Sequence, residues 1–373
     1  MKLKLAVIAV LPSFLVLFIT SISYGIVNTK LVDEVLAKGV LDPKDLKIID
    51  DFLADATQDL VRTTDFTSIA KTRTIILTRQ STQAQYAQQF SESAYKHISV
   101  GLQQAGTLPE NRRFKVITNL LILIEGLKDP RLADLAIKLF DDKNQAVRYW
   151  AVRAVTNPGF IERVNKAGAP YSQLTGQITS RLVGLVETSS PETLALMADF
   201  AAKVDTPQAE DLLLKMADVR TKRYADWTVT YELVDGAILK SLCDKMVSAN
   251  PIKPEAAQRF SQLYSYVIQR YISGSGNAAG LSDTAKQQLA SVMVDTEEKC
   301  IAKLAARPQS SIRRAVESND YTVLKQEHDR LLGDATTKGE LVIRLKFDYG
   351  QNPDGSTRSS PLALPPPKQA ATQ

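Results

Sequence analysis

Asp129-Pro130-Arg131-Leu132-Ala133-Asp134-Leu135-Ala136-Ile137-Lys138-Leu139-Phe140 runs into Asp141-Asp142-Lys143-Asn144-Gln145-Ala146-Val147-Arg148-Tyr149-Trp150-Ala151-Val152-Arg153-Ala154-Val155. Two apolar stripes of helical period flank a polar turn. Asp129 followed by Pro130 is a helix-start signature, because proline lacks the N–H that a first helical residue leaves unused. Asn144 is placed to cap the second helix, and Val147, Ala151, Ala154 and Val155 form its buried stripe. The small alanines let a neighbouring helix stack closely.

This hairpin resembles a HEAT repeat, the two-helix unit of armadillo-type α-solenoids. The match rests on the first-helix leucines, the turn residues Asp142 and Asn144, and Val147-Arg148 followed by Ala151, Ala154 and Val155; Asn144 stands where Asp is usual. The resemblance implies that Asp142 and Arg148 join a hydrogen-bond ladder to the adjacent repeat. It is clear over residues 129–156, whereas 190–220 keep the hairpin form, with Asp205-Thr206-Pro207 at the turn, without the Val-Arg signature. One unit cannot bury its own face, so divergent neighbours are implied.

Outward from the hairpin the same period continues. Asp42-Pro43 opens a helix carrying Leu46, Ile49, Leu53, Ala56 and Leu60, and one long helix is predicted from Ser68 to Leu102. Gly101 to Gly106 has a phosphate-loop spacing without its lysine and reads as a helix end with Gly106 as a left-handed cap. Further helices are predicted at 111–127, 130–140, 145–156, 171–187, 191–204, 207–219, 225–247, 254–272, 282–306 and 320–332. Short Pro-, Gly-, Asn- or Asp-marked joints make consecutive helices antiparallel neighbours. The fold class is all-α, an irregular α-solenoid of stacked hairpins over 26–338, with an irregular helical bundle as the competing architecture. Residues 339–349 alternate apolar and polar, which predicts a short strand that pairs near Ile26 to Leu31 or adds to a partner's sheet. Residues 350–373 read as a loose Pro/Gly/Ser-rich tail.

The 373 residues carry a formal charge of +5, too little for the dense basic face of a dedicated nucleic-acid binder. Lys2 and Lys4 precede an uncharged run over 5–22 and small residues at Ser21, Ser23 and Gly25, the pattern of a signal peptide or N-terminal membrane anchor over 1–25. That pattern predicts an extracytoplasmic location, secreted or tied to the membrane through residues 5–22. Export makes Cys243 and Cys300 a candidate disulfide, although Cys300 also fits a buried helical stripe.

Two His and two Cys exclude multi-Cys zinc, haem and iron–sulfur motifs. His97 and His328 lack a second histidine at metal-ligand spacing, and Glu327-His328-Asp329 has no marked nucleophile to activate. Gly274 to Gly280 has the wrong context for a dinucleotide fingerprint, and Gly350 to Gly355 lacks the first acid of a calcium loop. No cofactor, metal or catalytic residue is assigned. Two basic and aromatic clusters are candidate interfaces: Arg148, Trp150 and Arg153, and Arg220, Lys222, Arg223, Tyr224 and Trp227. The expected function is a non-enzymatic protein–protein scaffold in the cell envelope whose partner the sequence does not name. The alternatives are a binder of anionic polymer or lipid at Arg220 to Arg223, and a hydrolase or transferase using His328 or His97.

Overall fold

The computed structural model describes residues 27–248, 254–274 and 281–366; the apolar run over 5–22 lies outside them. Among the described residues no helix is long and apolar enough to cross a membrane. They form α1 (Lys30–Leu36), α2 (Pro43–Arg62), α3 (Phe66–Leu77), α4 (Ala84–Gly106), α5 (Glu110–Leu127), α6 (Ala133–Ile137), α7 (Gln145–Thr156), α8 (Pro158–Ala167), α9 (Ala169–Leu185), α10 (Pro191–Lys203), α11 (Pro207–Ala225), α12 (Leu233–Ser248), α13 (Pro254–Ser273), α14 (Asp283–Thr296), α15 (Ala302–Leu304), α16 (Ser311–Glu317), α17 (Tyr321–Leu332) and α18 (Glu340–Leu345).

The fold is all-α, with helices packed in series. One row runs α4, α5, α7, α10, α12 and α14, each against the next, and a second runs α9, α11, α13 and α17. Cross-contacts such as α10 with α11 and α12 with α13 join the rows. Each helix meets near neighbours in the series, an arrangement compatible with a solenoid. Local chemistry sets the helix starts. Asp42 accepts from the Lys44 and Asp45 N–H groups while Asp45 reaches back to the Asp42 N–H, and Pro43 occupies the first helical position. Asn144, Asn157 and Ser190 cap α7, α8 and α10 in the same way.

Several expectations are corrected. The long helix over 68–102 is two helices, because Thr78 ends α3 and the Gln83 side chain caps α4 at the Tyr86 N–H. The polar residues Gln80 to Gln83 offer that gap nothing apolar to bury. Gly106 sits inside α4 and is absent from the positive-φ residues, so it is not a left-handed cap. The helix expected from 225 begins at Leu233, behind a turn in which Trp227 and Tyr231 adopt φ of 59° and 54°. α8 and α16 stand where the sequence suggested only joints.

The strand expected over 339–349 is also absent. Residues 340–345 make a short helix that buries Leu341, Val342 and Leu345 and leaves Ile343 66% exposed. A strand would have put 341, 343 and 345 on one face. Gly339 allows the chain to pass close to residues 331–333, since a Cβ there would stand 2.3 Å from the Leu332 carbonyl carbon. Lys30 onward is α1 and residues 27–29 are in no strand, so the described part of the segment near Ile26 to Leu31 offers no partner strand; Ile26 itself lies outside the described residues.

Candidate functional site

α13 is enclosed on most of its circumference by α11, α12, α14 and α17. Its remaining face carries Gln262, Tyr266 and Gln269, at the i, i+4, i+7 positions that line one side of a helix. Residues 361–366, expected to belong to a loose tail, are laid along this face. Gln262 accepts from the Leu362 N–H at 2.8 Å and donates to the Leu362 carbonyl at 3.3 Å. Gln269 accepts from the Leu364 N–H at 2.6 Å and donates to the Leu362 carbonyl at 3.1 Å. The Trp227 indole N–H donates to the Pro365 carbonyl at 2.8 Å, and the Tyr266 hydroxyl lies 3.5 Å from the Ala363 carbonyl.

These contacts address main-chain groups, with a side-chain amide taking the place of a neighbouring strand. Pro361, Pro365 and Pro366 have no N–H to satisfy and restrict the segment to extended backbone, which lowers the entropy lost on docking. Sequence reading missed the segment because its composition is that of a linker, and its partners are scattered glutamines about a hundred residues away.

Beneath it lies a buried polar chain. Gln269 donates to Ser265 Oγ at 2.7 Å, Ser265 Oγ pairs with His328 Nε2 at 2.8 Å, and His328 Nδ1 pairs with Asp329 Oδ1 at 2.8 Å. Hydroxyl, imidazole and carboxylate thus stand in the order of an acyl-transfer triad. Ser265 is wholly buried in the middle of a helix, where main-chain N–H groups serve the helix ladder. The order is therefore present without a visible oxyanion hole. Burial pulls the His328 imidazole below its ordinary range, against the opposing pull of Asp329. A histidine held neutral in the fold contributes stability above its unfolded pKa of about 6.5 and loses it as pH falls towards the lower folded value. His328→Gln is expected to flatten the pH dependence of unfolding free energy below about pH 6.5. An unchanged slope in denaturant titrations would contradict that assignment.

The Arg220 cluster is only partly a surface. Arg220 and Asp235 are each fully buried; Nε and Nη2 meet the Asp235 carboxylate at 2.5 and 3.0 Å, and Nη1 donates to the Thr230 carbonyl at 3.1 Å. The buried Tyr224 hydroxyl donates to the same carboxylate at 2.6 Å. Arg220 and Tyr224 therefore cannot present an interface, which corrects that expectation. Lys222 is exposed, and Arg223 is half-buried with a bond to the Glu187 carbonyl at 2.8 Å. Trp227 stacks on the Arg270 guanidinium, 4.0 Å from centroid to carbon.

On α7, Arg153 lies over the half-buried Trp150 ring at 5.3 Å and bonds to the Tyr149 hydroxyl at 3.2 Å. Asp142 reaches the preceding hairpin, accepting from Arg113 of α5. Arg148 stays in its own turn, bonding the Asp142 and Lys143 carbonyls at 2.8 and 3.2 Å, so it does not bridge to a neighbouring unit. His97 pairs with Asp50 at 2.9 Å. Burial opposes ionisation of that carboxyl, but Lys96 and His97 hold it down to about 2.

Cys243 of α12 and Cys300, in a π-helical segment over Glu297–Ile301, are buried and free. The Cys243 thiol and burial push the Cys300 thiol well above its ordinary range. Among the described residues no group of three or more His, Cys, Asp or Glu is placed to hold a metal ion.

No family model matches the chain, and no curated protein matches it. Among solved structures it aligns with an engineered protein at 11% identity and a TM-score of 0.28, over 84% of this chain and 94% of that one. A computationally designed self-assembling cyclic homooligomer aligns at 12% identity and a TM-score of 0.17, over 84% and 98%. Neither score reaches the level at which a shared fold follows.

Proposed function

We propose that the chain is a divergent HEAT-like solenoid acting as a non-enzymatic binding scaffold in the cell envelope, and that α13 is its recognition face for extended, proline-containing segments. The observation that carries this reading is the grip of Gln262, Gln269 and Trp227 on the main chain of Leu362 to Pro365. A surface that pairs with backbone amides at fixed spacing, with prolines pre-setting the ligand, is a recurring way of recognising peptides. The chain's own segment would be the resident ligand, favoured by its tether. The signal pattern over 1–25 supports export.

The test uses a chain ending at Ser360 and a labelled peptide of residues 360–366. The truncated chain is expected to bind the peptide saturably, and Gln262→Ala with Gln269→Ala to weaken binding at least tenfold. A folded truncated chain that ignores the peptide would contradict the reading, as would a cytosolic location of the tagged full chain.

The hydrolase alternative has one specific observation behind it, the order Ser265, His328, Asp329 beneath the segment. Labelling of Ser265 by a fluorophosphonate in the truncated chain, abolished by His328→Gln, would favour hydrolysis over scaffolding. The anionic-polymer alternative rested on Arg220 to Arg223, of which Arg220 is spent on Asp235.

A further inference from the structure

The docked segment fixes the sense of the polar chain beneath it. A main-chain N–H can only donate and a main-chain carbonyl can only accept. The Leu364 N–H therefore holds Gln269 Oε1, at 2.6 Å, and the Leu362 carbonyl holds Gln269 Nε2, at 3.1 Å. With the amide set in that sense, Nε2 donates to Ser265 Oγ at 2.7 Å. Ser265 Oγ has two partners among the described residues, and one already donates to it, so its own hydrogen goes to the other, His328 Nε2 at 2.8 Å. A ring nitrogen that accepts carries no proton. The proton of the neutral imidazole thus sits on Nδ1, which faces Asp329 Oδ1 at 2.8 Å.

Protonation at Nε2 reverses this chain. The imidazolium donates to Ser265 Oγ, and the serine hydrogen loses its acceptor at a wholly buried position, which is costly. The hydrogen regains a partner if the Gln269 amide flips to offer Oε1. The flipped amide then sets Nε2 against the Leu364 N–H and Oε1 against the Leu362 carbonyl, donor on donor and acceptor on acceptor. By either route the charged ring and the docked segment oppose each other.

The helices packed against α17 are α13, α16 and α18. Burial opposes the charge on His328 most; on its own helix Asp329 favours that charge and Lys325 opposes it. α13 faces the ring with the uncharged Ser265, and no charged side chain of α13, α16 or α18 acts on it.

We infer that residues 361–366 are an acid-released latch: the docked segment requires a neutral His328, and protonation of its Nε2, passed through Ser265 to Gln269, loosens the segment from α13. The inference rests on the docked segment of the proposed recognition face and adds its regulation. Coupling of this kind is reciprocal, so docking lowers the proton affinity of His328 as much as the proton weakens docking.

In the full chain, hydrogen exchange of the Leu364 amide is measured at about pH 7.5 and about pH 5, on either side of the ordinary histidine range, and divided by the rate of unstructured chain at each pH. Protection of Leu364 is expected to fall about tenfold, the change that a one-unit difference in the His328 pKa between docked and released states gives. Leu362, whose N–H Gln262 holds, should change less, and Val267 inside α13 should stay protected. Ser265→Ala breaks the relay and His328→Gln removes the proton, so each should leave Leu364 protected at both pH values. Equal protection of Leu364 at both pH values in the unmodified chain, or the same loss in both variants, would overturn the latch and leave the docked segment standing. Joint loss at Val267 and Leu364 would overturn it as acid unfolding of α13. A Leu364 amide unprotected at both pH values would remove the docked segment and the latch with it. If one variant fails to fold, the other and the unmodified chain still decide.

Discussion

Asp235→Ala is expected to lower the unfolding free energy by about 3–5 kcal/mol, the cost of removing one partner from a buried ion pair. Arg220 and Asp235 are both inaccessible to water, so the orphaned guanidinium would keep only the Thr230 and Tyr231 carbonyls. Burial works against the charged Arg220, but Asp235 outweighs it and holds the guanidinium above its ordinary range. The carboxylate also receives the Tyr224 hydroxyl, so Tyr224→Phe should cost less, about 1 kcal/mol for one hydrogen bond. Replacing both charges, as Arg220→Met with Asp235→Leu, should recover much of the loss, because an apolar pair carries no desolvation penalty. Denaturant melts of the three variants beside the unmodified protein check the ordering. Equal losses in the single and the double variant would show that shape at the α11–α12 junction, and not charge, sets the cost.

Oxidation of Cys243 and Cys300 has the next largest expected effect. The two buried thiols belong to α12 and the π-helical segment, and an oxidant accepting two electrons would join them as a disulfide. In the chain-entropy description, closing that loop stabilises the fold by about 4 kcal/mol. Denaturant unfolding of oxidised and reduced protein, with thiol titration under denaturing conditions, measures the difference. Cys243→Ser should abolish it. Native protein that keeps both thiols after oxidant treatment would contradict the pairing.

The helical class was legible because it rests on local spacing: Asp42-Pro43, Asn144 and Ser190 announce helix starts that the structure keeps. Breaks were harder to read. The gap at 78–83 is made by polar residues and a glutamine cap, and the seven-residue spacing from Leu77 to Ala84 keeps the helical period across it. Residues 340–345 satisfy alternation and helical spacing equally well over so short a run, and contact of Gly339 with 331–333 decides for the helix. Sites were least legible. Arg220 reads as surface charge until Asp235 is seen beside it, and Ser265 means nothing until His328 arrives from sixty-three residues away. The glutamines of α13 belong to no motif, since what they pair with is the main chain of a distant segment.

Amide hydrogen exchange at Leu362 and Leu364 tests that last claim most directly, because their N–H groups are the donors that Gln262 and Gln269 receive. Both amides are expected to exchange slowly in the intact chain. Gln262→Ala should release Leu362, and Gln269→Ala should release Leu364. Exchange of both at the rate of unstructured chain in the unmodified protein would contradict the docked segment and the recognition face built on it.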